Sequence, residues 1–223
     1  MTSPVAILIG PPGAGKTTVG PLLADLLGTR FLDTDTLVER VAGKPVSDIF
    51  ITDGEATFRE LERGAVRHGV TSHPGILALG GGAVMDPQTQ HLLAGQRVVY
   101  LETGFAAATQ RVGLASARPL LLGNPRARMK ELLAQRLPVY SSLAWLTVTT
   151  DGREPQEIAD DIAATISERF AAQAGEGAGA MADEDPAEPA GTAAEPAGTA
   201  AAEPAGNAAA PPGEGPGTPL ERQ

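Results

Sequence analysis

Five short, mostly apolar runs punctuate the chain: VAILI at 5–9, FLD at 31–33, ILAL at 76–79, VVYL at 98–101 and LTVTT at 146–150. Each has the length and composition of a β-strand. The stretches between them mix apolar and polar positions and predict helices near 16–27, 36–42, 54–70, 105–112, 126–135 and 155–170. Short apolar strands alternating with helices imply a parallel sheet covered on both faces. The expected architecture is a three-layer α/β/α domain around five parallel strands. One position opposes the pattern. Pro21 falls inside the first helix and cannot donate to the Thr17 carbonyl, so the helix is expected either to bend there or to have an irregular first turn.

The first apolar run leads directly into GPPGAGKTT, residues 10–18. The spacing Gly10-x-x-x-x-Gly15-Lys16-Thr17 after a strand and before a helix fits a phosphate-binding loop. A polyphosphate needs many N–H donors at short range, and side chains would block its approach. Glycines at 10, 13 and 15 allow the tight turns, and the following helix aims its free N–H groups at the same anion. Lys16 can reach the β- and γ-phosphates, and the Thr17 hydroxyl can ligate Mg²⁺.

Composition narrows the picture in two ways. The chain has 223 residues, no cysteine and a formal charge of −10. The lack of cysteine suits a reducing cytoplasm. No apolar run approaches the roughly 18 residues of a membrane span, and no basic region precedes an apolar stretch at the N-terminus, so no signal peptide is predicted. The charge is concentrated late. Residues 171–223 hold nine acidic residues against Arg222 alone, within an imperfect repeat of the type EPAGTAA. Alanine is too small to build a core there, and proline in every unit excludes a coiled coil. The expectation is a folded domain over 1–170 and a disordered tail over 171–223.

Ligands of an open α/β sheet gather beyond the carboxyl ends of its strands. Two clusters fall there. In FLDTD, 31–35, Asp33 and Asp35 would point in opposite directions if the strand continued, one toward a metal and one toward a second substrate; Asp35 could also cap the next helix. In LGGGAV, 79–84, three glycines after a buried strand would let a ligand lie on bare backbone. Arginines form a third set. Arg59 lies in ATFRELER, where Glu62 can hold it; Arg118 opens RPLL within 113–125; Arg136 lies in QRLPVY. Each alone reads as a solvated surface charge.

Taken together, GPPGAGKTT, FLDTD, VSDIF, DGEATFRELE, LALGGGAV, VVYL, ARPLL and QRLPVY resemble the shikimate kinases, small phosphate-loop kinases related in fold to the nucleoside monophosphate kinases. The resemblance covers about residues 4–165. It implies ATP and shikimate as substrates, Mg²⁺ as the metal, and a monomer that binds neither nucleic acid nor membrane. It implies ATP contacts from Gly13, Ala14, Gly15, Lys16, Thr17, Thr18, Arg118 and Arg153, the last packing on adenine. Shikimate would meet Asp35, Arg59, Gly81 and Arg136, with Phe50 and Phe58 flanking its ring or serving simply as core. Lys16, Asp35 and Arg118 would be the catalytic groups, and Asp33 would hold Mg²⁺ through water beside Thr17. Segment 113–125 would be a lid carrying Arg118 over the phosphates. Pro21 and the tail depart from the family pattern without touching a motif. Two other readings share the phosphate loop: a gluconate kinase, and a nucleotide-binding regulatory protein without catalysis.

Overall fold

A computed structural model of the chain describes residues 3–112 and 125–179. Five parallel strands form its centre: β1 (Ala6–Ile9), β2 (Phe31–Asp33), β3 (Ile76–Ala78), β4 (Val98–Glu102) and β5 (Leu146–Thr149), in the order β2-β3-β1-β4-β5. β1 lies between β3, with Ala6 opposite Ile76, and β4, with Ile7 opposite Val98. The expected parallel three-layer architecture is therefore present.

The two faces of β1 seed two cores. Ala6 and Leu8 pack with Val19 and Leu23 of α1 (Lys16–Leu26) and Ile158, Ile162 and Ile166 of α8 (Pro155–Gly179). Ile7 and Ile9 pack on the other face with Val66 and Val70 of α4 (Gly54–Ser72) and Tyr140 of α7 (Pro125–Leu143). A separate small core joins Val38 of α2 (Thr34–Ala42), Ile49 of α3 (Val46–Thr52) and Phe58 of α4. The remaining α-helices among the described residues are α5 (Pro87–Leu93) and α6 (Phe105–Val112).

Several boundaries differ from the sequence reading. α3 and α5 were not anticipated. α2 begins at Thr34 rather than 36, because Asp33 ends the strand and caps the helix by accepting the Asp35 N–H at 2.9 Å. The alternation of Asp33 and Asp35 along a continuing strand is thereby overturned, and the capping residue is Asp33, not Asp35. α7 was expected to stop at 135 but continues through Pro138 to Leu143. α1 likewise runs continuously through Pro21. The reason is the same in both: the carbonyls deprived of a donor belong to Ala134 and Thr17, both exposed residues where water can serve instead. α8 continues past residue 170, where the helix was expected to end, and reaches Gly179. The rest of the tail lies outside the described residues, as do Arg118 and all but Pro125 of the expected lid over 113–125.

The phosphate loop is tied to the sheet by a position that only glycine tolerates. Gly10 has φ +145°, and a Cβ there would sit 2.6 Å from the Leu101 carbonyl oxygen. Gly10→Ala is expected to cost about 2 kcal/mol or more, from backbone strain and the collision with β4. Urea unfolding measures this as a lowered midpoint; an unchanged midpoint would show that the loop is not held as described.

Candidate active site

The carboxyl ends of β1, β2 and β3 meet at one cavity. It is lined by Pro12, Gly13, Gly15, Lys16 and Thr17 of the loop, by Asp33 and Asp35, and by Leu79 and Gly81 beyond β3. Lys16 Nζ donates to the carbonyls of Gly10 at 2.7 Å and Pro11 at 3.1 Å, so the ammonium curls over the loop. Gly15, at φ +96°, turns the chain into α1, whose first turn carries Thr17 and Thr18. Ala14 is fully buried in the core beneath the loop.

Asp33 is nearly buried, and its carboxyl is pushed up from the usual range by burial and then by the Asp35 carboxylate. The Asp35 N–H and the Lys16 ammonium oppose that shift. The Asp33 and Asp35 carboxylates beside the Thr17 hydroxyl make a hard, anionic oxygen site. Such a donor set suits Mg²⁺.

The three glycines join this cavity to the arginines. A Cβ on Gly80 would lie 2.5 Å from Asp35 Oδ1 and 3.1 Å from Glu62 Oε1. On Gly81 it would meet Pro12 Cδ at 3.0 Å, and on Gly82 it would lie 2.9 Å from Arg59 Nη1 and 3.5 Å from Arg136 Nη2. Arg59 and Arg136, far apart in sequence and on different helices, thus approach the same point. The Gly80 N–H donates to the buried Thr34 hydroxyl at 3.0 Å, which anchors the start of this backbone to α2. The Gly81 carbonyl accepts from Arg136 Nη1 at 3.1 Å and from the Tyr140 hydroxyl at 2.6 Å.

Arg59 is braced by Glu62 at 2.7 Å and by Glu55 at 3.1 Å. Burial works against its charge, but the two carboxylates outweigh it and hold the guanidinium above its ordinary pKa. Glu62 is itself buried, and desolvation raises its carboxyl despite Arg59 and with Asp35 adding to the rise. Phe58 is buried in the small core, its ring 4.5 Å from that of Phe50 and under the Arg59 guanidinium. Arg153 is held by Asp161 of α8 at 2.5 Å.

Sequence reading missed a second set of residues near the loop. Arg111 of α6 donates to the Thr150 carbonyl at 2.8 Å, to its hydroxyl at 3.0 Å and to the Gly13 carbonyl at 3.4 Å. Asp151 accepts from the Thr103 hydroxyl at 2.7 Å and the Gly104 N–H at 2.9 Å, and these two donors hold its carboxyl below the usual range. Together they lace the ends of β4 and β5 to the phosphate loop. No local pattern announces either, because their partners are distant in sequence.

Known proteins resemble this chain in sequence and fold. Residues 12–167 match the shikimate kinase family model. The shikimate kinase of Thermobifida fusca is 62% identical over 160 residues, covering 72% of this chain and 93% of its own length. That of Salinispora arenicola is 55% identical over 165 residues, covering 74% and 99%. Among solved structures, the shikimate kinase of Acinetobacter baumannii in complex with shikimate superposes with a TM-score of 0.71 at 36% identity, covering 76% of this chain and 95% of that one. The shikimate kinase of Bacteroides thetaiotaomicron gives a TM-score of 0.63 at 28% identity, covering 74% and 97%. With the motifs in order, the parallel sheet in place and the two arginines meeting at the glycines, this chain belongs to the shikimate kinase family.

Proposed function

We propose that this protein transfers the γ-phosphoryl group of ATP to the 3-hydroxyl of shikimate, giving shikimate 3-phosphate and ADP, a step toward chorismate and the aromatic amino acids. The observation that carries the reading is the approach of Arg59 and Arg136 to one point over Gly82, across the glycines from Asp35 and Lys16. Two guanidiniums suit a planar carboxylate, because their forked donors match its two oxygens. A hydroxylated ring gripped there lies against the Gly81 backbone with its hydroxyls toward Asp35.

In the reaction, the 3-hydroxyl oxygen forms a bond to the γ-phosphorus as the bond to the β,γ-bridging oxygen breaks; the hydroxyl proton is released to Asp35 or to solvent, and ADP leaves. Catalysis is mainly positioning and charge neutralisation. Asp35 accepts the hydroxyl hydrogen bond and orients the nucleophile. Lys16 leaves its carbonyl partners for the β- and γ-phosphates, which also take the N–H groups of Gly13, Ala14, Gly15, Thr17 and Thr18. Thr17, and Asp33 through water, would hold Mg²⁺. The ion, when bound, neutralises charge on the phosphates. Arg153, its plane fixed by Asp161, packs on adenine. Arg118 supplies further positive charge from a lid over 113–125. No helix among the described residues is long and apolar enough to cross a membrane, and the reaction needs only a monomer and small molecules.

A coupled ADP-release assay tests the assignment with shikimate, gluconate or no acceptor. Turnover is expected with shikimate alone, and Lys16→Ala should abolish it. Equal rates with gluconate, or full activity in the variant, would reject the reading.

Asp35→Asn preserves shape but removes the negative charge that orients the hydroxyl. We expect turnover to fall by more than about 100-fold, the usual scale for a positioned acid–base group, while ATP binding persists by calorimetry. Activity within a few-fold of the unmodified enzyme would reduce Asp35 to a helix residue of no catalytic consequence.

Arg59→Lys and Arg136→Lys test the carboxylate clamp, since an ammonium cannot reproduce the planar fork. Each should weaken shikimate binding by about 10- to 150-fold, the range for a lost charge-assisted hydrogen bond, and spare ATP. Normal shikimate dissociation constants in both variants would remove the clamp.

A further inference from the structure

The Gly81 carbonyl takes two donors from a single turn of α7. Arg136 Nη1 reaches it at 3.1 Å and the Tyr140 hydroxyl at 2.6 Å, from positions i and i+4 on the helix. Tyr140 is fully buried, and its ring stacks on Tyr100 of β4 with centroids 5.2 Å apart. Tyr100 is in turn registered against Ile9 of the central strand. The two stacked tyrosines use their hydroxyls differently. That of Tyr140 makes the shortest bond to the glycine backbone, whereas that of Tyr100 is buried without a hydrogen-bond partner. Burial holds the Tyr140 phenol up at about 12, so it stays protonated and donating across the working pH range.

The glycines create the need for such a bond. Substrate recognition calls for backbone bare of side chains: one at Gly80 or Gly82 would displace a charged group, and one at Gly81 would press on Pro12. Yet glycine has the widest backbone freedom of any residue. The peptide joining Gly81 to Gly82 therefore has nothing in its own side chains to set its plane. Arg136 can hold its carbonyl, but Arg136 is also a substrate ligand in the reading above, and a bound carboxylate competes for the same guanidinium. The Tyr140 hydroxyl also interacts with the Arg136 guanidinium, which works against the effect of burial, but it is not a substrate ligand in that reading.

We infer that Tyr140 is a positioning residue for substrate recognition: it pins the Gly81 carbonyl to the sheet through the Tyr100 stack, leaving Arg136 able to turn its donors to the substrate carboxylate. This rests on the shikimate-clamp reading of Arg136. Tyr140 touches no substrate, and its influence passes through the glycine backbone and Arg136.

The same substitution at the two stacked rings separates positioning from packing. Tyr140→Phe and Tyr100→Phe are made in the full chain, and steady-state constants for both substrates are measured well below each variant's melting temperature. Tyr140→Phe should raise KM for shikimate by about 3- to 10-fold, the size of one lost hydrogen bond. Its KM for ATP and kcat should stay within about twofold. Tyr100→Phe should leave both KM values unchanged. An unchanged shikimate KM in Tyr140→Phe, an equal rise for ATP, or the same rise in Tyr100→Phe overturns the inference. A cycle with Arg136→Lys provides the second measurement. The effect of Tyr140→Phe should shrink in that background, and strict additivity would show that the two residues do not act through one carbonyl. If Arg136→Lys alone leaves shikimate KM unchanged, the clamp reading fails and takes the inference with it. A damaged Arg136→Lys beside a normal Tyr140→Phe counts against the inference alone.

Discussion

No side chain fits at Gly80 or Gly82 without displacing a charged group, and at Gly81 one would press on Pro12. That steric constraint organises the site. Gly80 packs beside Asp35 and Glu62, Gly81 beside the phosphate loop, and Gly82 beside Arg59 and Arg136. Residues from α2, α4, α7 and the loop before α1 share one short piece of main chain. The backbone sets their spacing, so under the proposed function a phosphate at the loop and a carboxylate at the arginines would lie a fixed distance apart. In-line transfer depends on such a distance more than on any single donor.

The parallel sheet supplies the frame for this arrangement. Its central strand ends at the phosphate loop, and its neighbour β3 ends at the glycines. Because β1 is buried on both faces, with Ala6 and Leu8 on one side and Ile7 and Ile9 on the other, neither end can shift without disturbing a core. Arg111 and Asp151 extend the same logic to β4 and β5, joining their carboxyl ends to the loop by hydrogen bonds rather than by packing.

The strands and the phosphate loop were legible in sequence because their signals are local. Apolar runs and glycine spacing need no distant partner. The misreadings are also physical. α5 carries a start signal, Asp86 accepting the Gln88 N–H at 2.7 Å ahead of Pro87, but the helix is short and only a single 3-10 turn over Ala83–Met85 separates it from the glycines. α7 was cut short because proline ordinarily ends a helix, whereas Pro138 orphans only the carbonyl of an exposed residue. The pairing of Arg59 with Arg136 could be drawn only from family resemblance. Tyr140 and Arg111 find their backbone partners 59 and 98 residues away, and no periodicity encodes that.

The bracing of Arg59 bears on how substrate arrives. Glu55 and Glu62 both lie against its guanidinium, and Asp35 stands across Gly80. Carboxylates at least match the guanidiniums there, so the pocket projects little positive potential into solvent. Long-range steering, which speeds the encounter of oppositely charged partners and fades with added salt, has little to act on. Under the proposed function, a hydroxylated ring acid would reach such a pocket by ordinary diffusion. It would be distinguished from phosphate, acetate and the other anions of a cell only at contact, where fork geometry and ring hydroxyls are read together.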